Sequence, residues 1–286
     1  MHTIFTGTGA SCSMPRLRCH CMNCERARRE GAPYARNGAS FYIYGSGGVL
    51  FDTPEDIRTA LEAARVEEIG TIFYTHWHDD HTRGSRLLEH LGHTYYGQNP
   101  VTPIDVYIPE NDVDSFKQHC APLWFYQKRG WARIILYSDR QPITLGTLTI
   151  TPVDFCRGPK CVRYGFRVDE YGKSLMYAPC SIFGAKIDEH WEGLDALIME
   201  TGWFVDFQST DETRQMLPAD HGWQDHVSFK ETMEMVQRLQ PKQTILTHLD
   251  GTRHLMACGD YDAVSGRAKR FGPTISVAYD YMTLNL

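Results

Sequence analysis

Alternating apolar and polar residues recur along the first half of the chain and predict short β-strands. Residues 41–44 and 49–51 flank a glycine-rich turn, which is typical of a β-hairpin. The opening segment, residues 3–6, predicts a strand that ends at Gly7-Thr8-Gly9, where the backbone turns tightly. Further strands are predicted over 71–74, 106–108, 134–136 and 148–150.

Helices are predicted where apolar residues recur at intervals of three or four. Pro54 suits the first turn of a helix whose apolar face carries Ile57, Leu61 and Ala64. Residues 83–93 and 113–120 predict two more helices.

The second half repeats the order of strands followed by a helix. Ser228 and Glu231 form a capping box for a helix with Phe229, Met233 and Val236 on one face. Strands are predicted over 162–168, 174–177, 196–199 and 244–247, and residues 275–286 predict a closing hairpin.

With 286 residues, the chain suits one large two-layer or four-layer α/β domain, residues 1–286, with halves near 1–150 and 151–286. Its 42% hydrophobic and 22% charged residues are ordinary for a globular protein. A net charge of −6 disfavours a nucleic-acid partner. The chain lacks an apolar run of membrane-spanning length and a signal-like N-terminus, so we expect a cytoplasmic protein with no membrane partner. Whether it forms a homodimer is left open.

A loop rich in metal-binding side chains follows the strand predicted at 71–74. It reads Tyr-Thr-His-Trp-His-Asp-Asp-His over residues 74–81. His76 and His78 project to the same side if the segment is extended, and a turn brings Asp80 and His81 to a second position. Imidazole and carboxylate suit zinc, iron and manganese, so the loop predicts one or two metal sites, whereas the alternative is a solvated polar loop.

Cysteines form a second candidate metal site. Three of the nine cysteines are Cys19, Cys21 and Cys24, a spacing that lets three thiolates reach one tetrahedral zinc ion. We therefore predict a zinc knuckle over residues 19–24 with a fourth ligand from elsewhere; the alternative is three reduced, solvent-facing cysteines. Cys180 ends a predicted strand, where a site can be built.

Aromatic residues cluster around two cations in the middle of the chain. Residues 123–126 and Trp131 flank Lys128 and Arg129. They either line the mouth of a pocket for an anionic or planar substrate or pack as an ordinary insertion.

The motif His76-x-His78-x-Asp80-His81, with residues 6–9, Asp52 after a strand and Thr247-His248 near the end, resembles the metallo-β-lactamase superfamily. The resemblance implies an α/β fold, the αββα four-layer sandwich. Together with the cysteine knuckle, the chain is similar to two groups in that superfamily: cyclic phosphate phosphodiesterases of the carbon-phosphorus lyase pathway and the pyrroloquinoline quinone biosynthesis protein B.

The resemblance also implies a set of ligands. His76 and His78 would bind one metal, Asp80 and His81 the other, and His248 would complete the second. The phosphodiesterases have a further histidine for the first metal where residues 154–161 of this chain have none. Softer ligands from Cys156, Cys161 or Cys180 would then take part, or only one metal would bind tightly.

The structural zinc needs a fourth ligand, for which the resemblance offers two histidines. His254 is one; in the quinone-pathway group the histidine at the position of His248 takes that part instead.

The function that the resemblance implies is a metal-dependent hydrolase, most simply a phosphodiesterase acting on a small, anionic phosphate ester through a metal-bound hydroxide. Zinc, manganese or iron would occupy the catalytic site. Asp80 would orient the hydroxide and His226 would protonate the leaving group. Three cations, Arg157, Lys160 and Arg163, would bind the phosphate or else be solvated.

Two other functions stay open. Two imidazoles and one carboxylate, at His76, His78 and Asp80, are also the donor set of non-haem iron oxygenases, as the quinone-pathway resemblance suggests. The other open function is that of a metal-containing binding protein without hydrolase activity.

Overall fold

The computed structural model describes residues 1–93, 102–155, 162–202, 226–249 and 261–286. Within these ranges it contains two seven-stranded sheets. In chain order, the strands of the first sheet are β1 (His2–Gly7), β2 (Ser40–Ile43), β3 (Val49–Phe51), β4 (Thr71–Phe73), β5 (Ile104–Pro109), β6 (Ala132–Tyr137) and β14 (Thr283–Asn285). Their order across the sheet is β14-β1-β2-β3-β4-β5-β6.

The second sheet is built mainly from the second half of the chain. Its strands are β7 (Ile143–Leu145), β8 (Leu148–Asp154), β9 (Tyr164–Glu170), β10 (Lys173–Ala178), β11 (Ala196–Glu200), β12 (Gln243–Thr247) and β13 (Ile275–Val277). The order is β13-β12-β11-β10-β9-β8-β7, in which β10 to β13 run parallel and β7 to β10 antiparallel.

The described residues form eight α-helices, and most of these cover the outer faces of the two sheets. They are α1 (Met22–Glu30), α2 (Ile57–Ala63), α3 (Asp79–Thr82), α4 (Leu87–Gly92), α5 (Val113–His119), α6 (Pro122–Lys128), α7 (Phe229–Leu239) and α8 (Tyr261–Lys269). One core lies between the sheets and joins rings such as Phe41 and Tyr177. Two outer cores join the first sheet to α2, α4, α5 and α6, and the second sheet to α7 and α8. This is the expected αββα four-layer sandwich.

Most sequence-predicted elements are confirmed, including the hairpin of β2 and β3 and the Ser228–Glu231 capping box. The helix predicted over 83–93 begins instead as a 3-10 turn, Arg83–Arg86, before α4.

The closing hairpin predicted over 275–286 is wrong. β13 pairs in parallel with β12, with Ile275 opposite Thr244. β14 pairs antiparallel with β1, with Leu284 opposite Thr3. The turn between them, where Met282 N–H donates to Tyr279 O at 3.0 Å, carries the chain from the second sheet to the first. Each strand finds a partner distant in sequence, which local alternation does not encode.

The aromatic segment at 123–131 packs against the first sheet. Leu123, Tyr126 and Trp131 are buried in its outer core, and the indole of Trp131 lies directly against Gly92. Phe125 is exposed. For Trp131 the structure favours the packing alternative. None of the described helices is long and apolar enough to cross a membrane.

Candidate metal centre

Asp52 organises the loop that follows β4. Its carboxylate is fully buried and accepts the backbone N–H of Thr75 at 2.8 Å and the Thr75 hydroxyl at 2.9 Å. Its Oδ2 also lies 2.7 Å from Nδ1 of His81. Because a carboxylate accepts, Nδ1 of His81 carries the proton and Nε2 keeps a free lone pair, the tautomer that a metal ligand requires.

The same carboxylate orients His76 through Thr75. The Thr75 hydroxyl donates its proton to Asp52, so its oxygen accepts from Nδ1 of His76 at 2.9 Å. Nε2 of His76 is thereby also left with a lone pair. The rings of His76 and His81 lie 4.2 Å apart, so the two nitrogen donors face a common region.

Metal-binding atoms from both sheets converge on this region. Oδ2 of Asp80 lies 3.5 Å from Nε2 of His81 and 4.0 Å from Nε2 of His248. Three groups each hold donor atoms within 4.8 Å of one another: Asp80, His81 and His248; His76, His81 and Cys180; and Cys180, His226 and His248.

The donor atoms fit a metal ion. Nε2 of His76, His81 and His248 is buried in each case and makes no hydrogen bond to a nitrogen or oxygen atom in the described part of the chain, whereas the thiol of Cys180 lies close to His81 and His248. Buried polar atoms are normally paired, so three such nitrogens around one carboxylate and one thiol indicate a cation site. Imidazole, carboxylate and thiolate together suit zinc or iron.

Cys180, which follows β10, has the character of a thiolate ligand. Burial opposes its ionisation, but the charge of His248 and hydrogen bonds with His248 and His81 outweigh burial and lower the pKa of Cys180 to about 5. The sequence prediction placed Cys180 near the metals, and the structure brings it among their donors.

The N-terminal turn holds His248 in place. Leu249, the next residue, donates its N–H to Thr8 O at 2.9 Å and accepts the N–H of Ala10 at 3.2 Å. Between them a Cβ at Gly9 would lie 2.9 Å from Asn37 O, so this turn requires a glycine. His248 itself has a φ of 56°, a left-handed conformation that these flanking bonds maintain.

A carboxylate partner for His226 was not anticipated from the sequence. Nδ1 of His226 lies 2.5 Å from Oε2 of Glu200, while Oε1 of Glu200 accepts the N–H of Ile182 at 2.7 Å. Glu200 is 1% exposed, and His226 is partly exposed with its ring 5.6 Å from that of His248. The sequence signal that could have identified Glu200 was its position, since it is an acidic residue at the end of the buried strand β11.

His78 is the one residue of the motif that the structure places apart. It belongs to none of the donor groups formed by the described residues. Nη2 of Arg163 lies 3.0 Å from its Nε2. Burial and this guanidinium lower the pKa of His78 to about 4. The rings of His76 and His78 lie 4.6 Å apart, so their expected pairing around a first metal stays a prediction, which the contact with Arg163 opposes.

The cysteine knuckle is assembled at the start of α1. The thiols of Cys19, Cys21 and Cys24 lie within 4.8 Å of one another. The backbone N–H of Cys24 lowers the pKa of Cys21 to about 7 although burial opposes this. His248, one suggested fourth ligand, lies instead with Asp80 and His81. Outside the described residues are His254, Cys156, Cys161, Arg157 and Lys160.

Comparisons with known proteins agree with the fold. Residues 48–249 match the family described as beta-lactamase superfamily domain. A diphosphatase from the PhnP family is similar in structure, with a TM-score of 0.73, 19% identity and coverage of 99% of this chain and 96% of the other. Zinc-bound PqqB from Methylobacterium extorquens has a TM-score of 0.75 and 19% identity over 100% of both chains.

One curated sequence is also similar. An octanoyltransferase of Porphyromonas gingivalis is 24% identical over 177 residues, which are 59% of this chain. The match spans only 33% of that protein's length.

Proposed function

The chain belongs to the beta-lactamase superfamily, and from that premise we propose that it is a metal-dependent hydrolase of a small phosphate ester, most simply a phosphodiester. The structural similarity to a diphosphatase of the PhnP family supports phosphate chemistry. The substrate is anionic, because a cation site and a buried arginine face the same region.

One observation carries the proposal: Nε2 of His81 and of His248 is buried beside Asp80 and the thiol of Cys180, and neither is hydrogen-bonded to a nitrogen or oxygen atom of the described residues. These four residues would hold the ion, and His76 offers a fifth donor. A zinc, manganese or iron ion bound there supplies water activation at neutral pH and neutralises charge on phosphoryl oxygens.

The chain's own residues supply the proton transfers. Oδ2 of Asp80 faces the donor cluster and orients the attacking water. Nδ1 of His226 donates to buried Glu200, whose negative charge stabilises the protonated imidazole. The His226 side chain is partly exposed, and its remaining nitrogen donates a proton to the leaving oxygen.

A second candidate, an iron-dependent oxygenase, is favoured by a specific observation. Asp80, His81 and His248 are one carboxylate and two imidazoles with donor atoms within 4.8 Å, the donor set of non-haem iron oxygenases. The structural similarity to PqqB supports keeping this candidate. It differs from the sequence prediction in using His81 and His248 in place of His76 and His78.

Metal reconstitution separates the candidates. The stripped protein is reloaded with zinc, manganese or ferrous iron, and bis(4-nitrophenyl) phosphate turnover and oxygen consumption are measured on the same samples. We expect turnover that is lost in His81→Ala and retained in His90→Ala, a histidine on α4. Oxygen consumption by the ferrous form without phosphodiester turnover would contradict the proposed hydrolase function. If neither phosphodiester turnover nor oxygen consumption is detected, the remaining candidate is the metal-containing binding protein.

A further inference from the structure

A buried arginine beside the metal centre donates its two hydrogen bonds among the described residues to neutral groups. Arg163, just before β9, is 7% exposed. Nη1 donates to Val162 O at 2.8 Å, and Nη2 to Nε2 of His78 at 3.0 Å. Its Nε has no hydrogen-bond partner among the described residues. The buried carboxylate of Asp112 lies close enough for its charge to interact with Arg163, but it does not pair with Nε. A buried N–H without a partner is costly, so Nε of Arg163 is a donor that an anionic ligand can use.

The contact with Arg163 determines the protonation of His78. A guanidinium only donates, so Nε2 of His78 accepts and Nδ1 carries the single proton of the neutral ring. A metal-ligating nitrogen must offer a lone pair. If Nδ1 bound a metal, Nε2 would carry the proton and point it at the guanidinium N–H. The contact between Arg163 and His78 and coordination of a metal by His78 therefore exclude each other.

Arg163 is nonetheless adjacent to the donor cluster. The ring of His78 lies 4.6 Å from that of His76, which lies 4.2 Å from that of His81. Only the ring of His78 thus separates the positive charge of Arg163 from His76, a residue of the donor cluster.

We infer that the centre binds a single metal ion, at Asp80, His81, His248 and Cys180, and that Arg163 binds an anionic oxygen of the substrate in the role that a second ion would have. The identity of that substrate rests on the proposed function. The number of metal ions and the binding of an anion by Arg163 do not depend on the proposed function. Both can therefore be measured without an assay of turnover.

Metal content tests the first half. By elemental analysis of the purified protein we expect about two equivalents, one in the cysteine knuckle and one in the centre. His78→Ala keeps both, whereas His81→Ala loses one. Three equivalents in the wild type, or the loss of one in His78→Ala, would overturn the inference.

Binding of inorganic phosphate, measured by calorimetry on the metal-loaded protein, tests the second half. Loss of a charge-assisted bond in Arg163→Gln weakens phosphate binding at least about tenfold. Arg163→Lys retains most of the affinity because it keeps the charge. The control Arg133→Gln removes an exposed arginine paired with Asp105 and leaves binding unchanged. Equal affinity in Arg163→Gln and wild type would refute the assignment.

The two proposals fail differently. Arg163-dependent phosphate binding without phosphodiester turnover would support the present inference and count against the hydrolase. Turnover that survives in Arg163→Gln together with unchanged phosphate affinity would retain the hydrolase and reject the role of Arg163.

Discussion

Nδ1 of His226 lies 2.5 Å from Oε2 of Glu200, a carboxylate at the end of β11 that is almost wholly buried. This pair joins the parallel strands of the second sheet to a partly exposed imidazole at the metal centre. The carboxylate fixes the orientation of the ring and favours its protonated form.

Glu200→Gln is expected to lower phosphodiester turnover about 100-fold, because the amide no longer stabilises the imidazolium of His226. Metal content stays that of the wild type, since Glu200 offers no atom to the donor groups. Steady-state kinetics with elemental analysis checks both. A turnover loss accompanied by metal loss would instead indicate a structural role.

Asp52→Ala is expected to weaken metal binding by about 10-fold to 100-fold, because Asp52 fixes the tautomer of His81 without being a ligand itself. Competition with a chromophoric chelator measures the affinity. Asp79→Ala is the matched control: this carboxylate lies in the same loop, is exposed and pairs with Arg83. Equal effects in both variants would contradict the orienting role of Asp52.

Gly84→Ala is expected to destabilise the fold by about 1–3 kcal/mol. An added Cβ would lie 2.0 Å from Pro54 O, so the segment following the metal loop must shift. At Gly266, in α8, an added Cβ meets nothing within 4 Å. Gly266→Ala should therefore raise the free energy of unfolding by up to about 1 kcal/mol. Urea denaturation measures both, and a neutral Gly84→Ala would refute the close packing.

Asp280 is expected to make stability depend on pH. Burial raises its pKa to about 7, although Asn37 N–H, the Thr8 hydroxyl and Arg36 oppose this, compared with an ordinary value of 3.8. The folded chain therefore holds this proton more tightly than the unfolded chain. The stabilisation is complete below the ordinary value and is lost as pH rises through about 7.

Asp280→Asn should flatten that dependence between about pH 4 and about pH 7 in urea denaturation. The control Asp262→Asn removes an exposed carboxylate on α8 and should keep the wild-type profile. An unchanged profile in Asp280→Asn would assign the pH dependence to other groups.

The sequence predicted what depends on local pattern. Strands such as β4, the hairpin of β2 and β3, and the capping box of α7 follow from alternation and short-range hydrogen bonds. The resemblance carried by the histidine motif supplied the layer order. The closing hairpin failed because β13 and β14 choose partners in different sheets, a competition decided by tertiary packing.

The sequence named candidate site residues but could not say which of their atoms meet. His81, His248 and Cys180 were all named, but which atoms meet depends on how two sheets dock. Glu200 was missed because it lies 26 residues from His226, and only the end of β11 brings them together. The burial of Arg163 likewise depends on its surroundings in three dimensions, so its contact with His78 could not be read from residue type.

The two sheets contribute unlike donors to one cluster: His81 follows β4 of the first sheet, and His248 follows β12 of the second. An ion bound by both residues would cross-link the two sheets. The affinity of the site for the metal would then depend on how the sheets are aligned. Phe41 and Tyr177 stack across the same interface with ring centroids 5.1 Å apart. Phe41→Ala should therefore weaken metal binding, although Phe41 is not itself a proposed ligand.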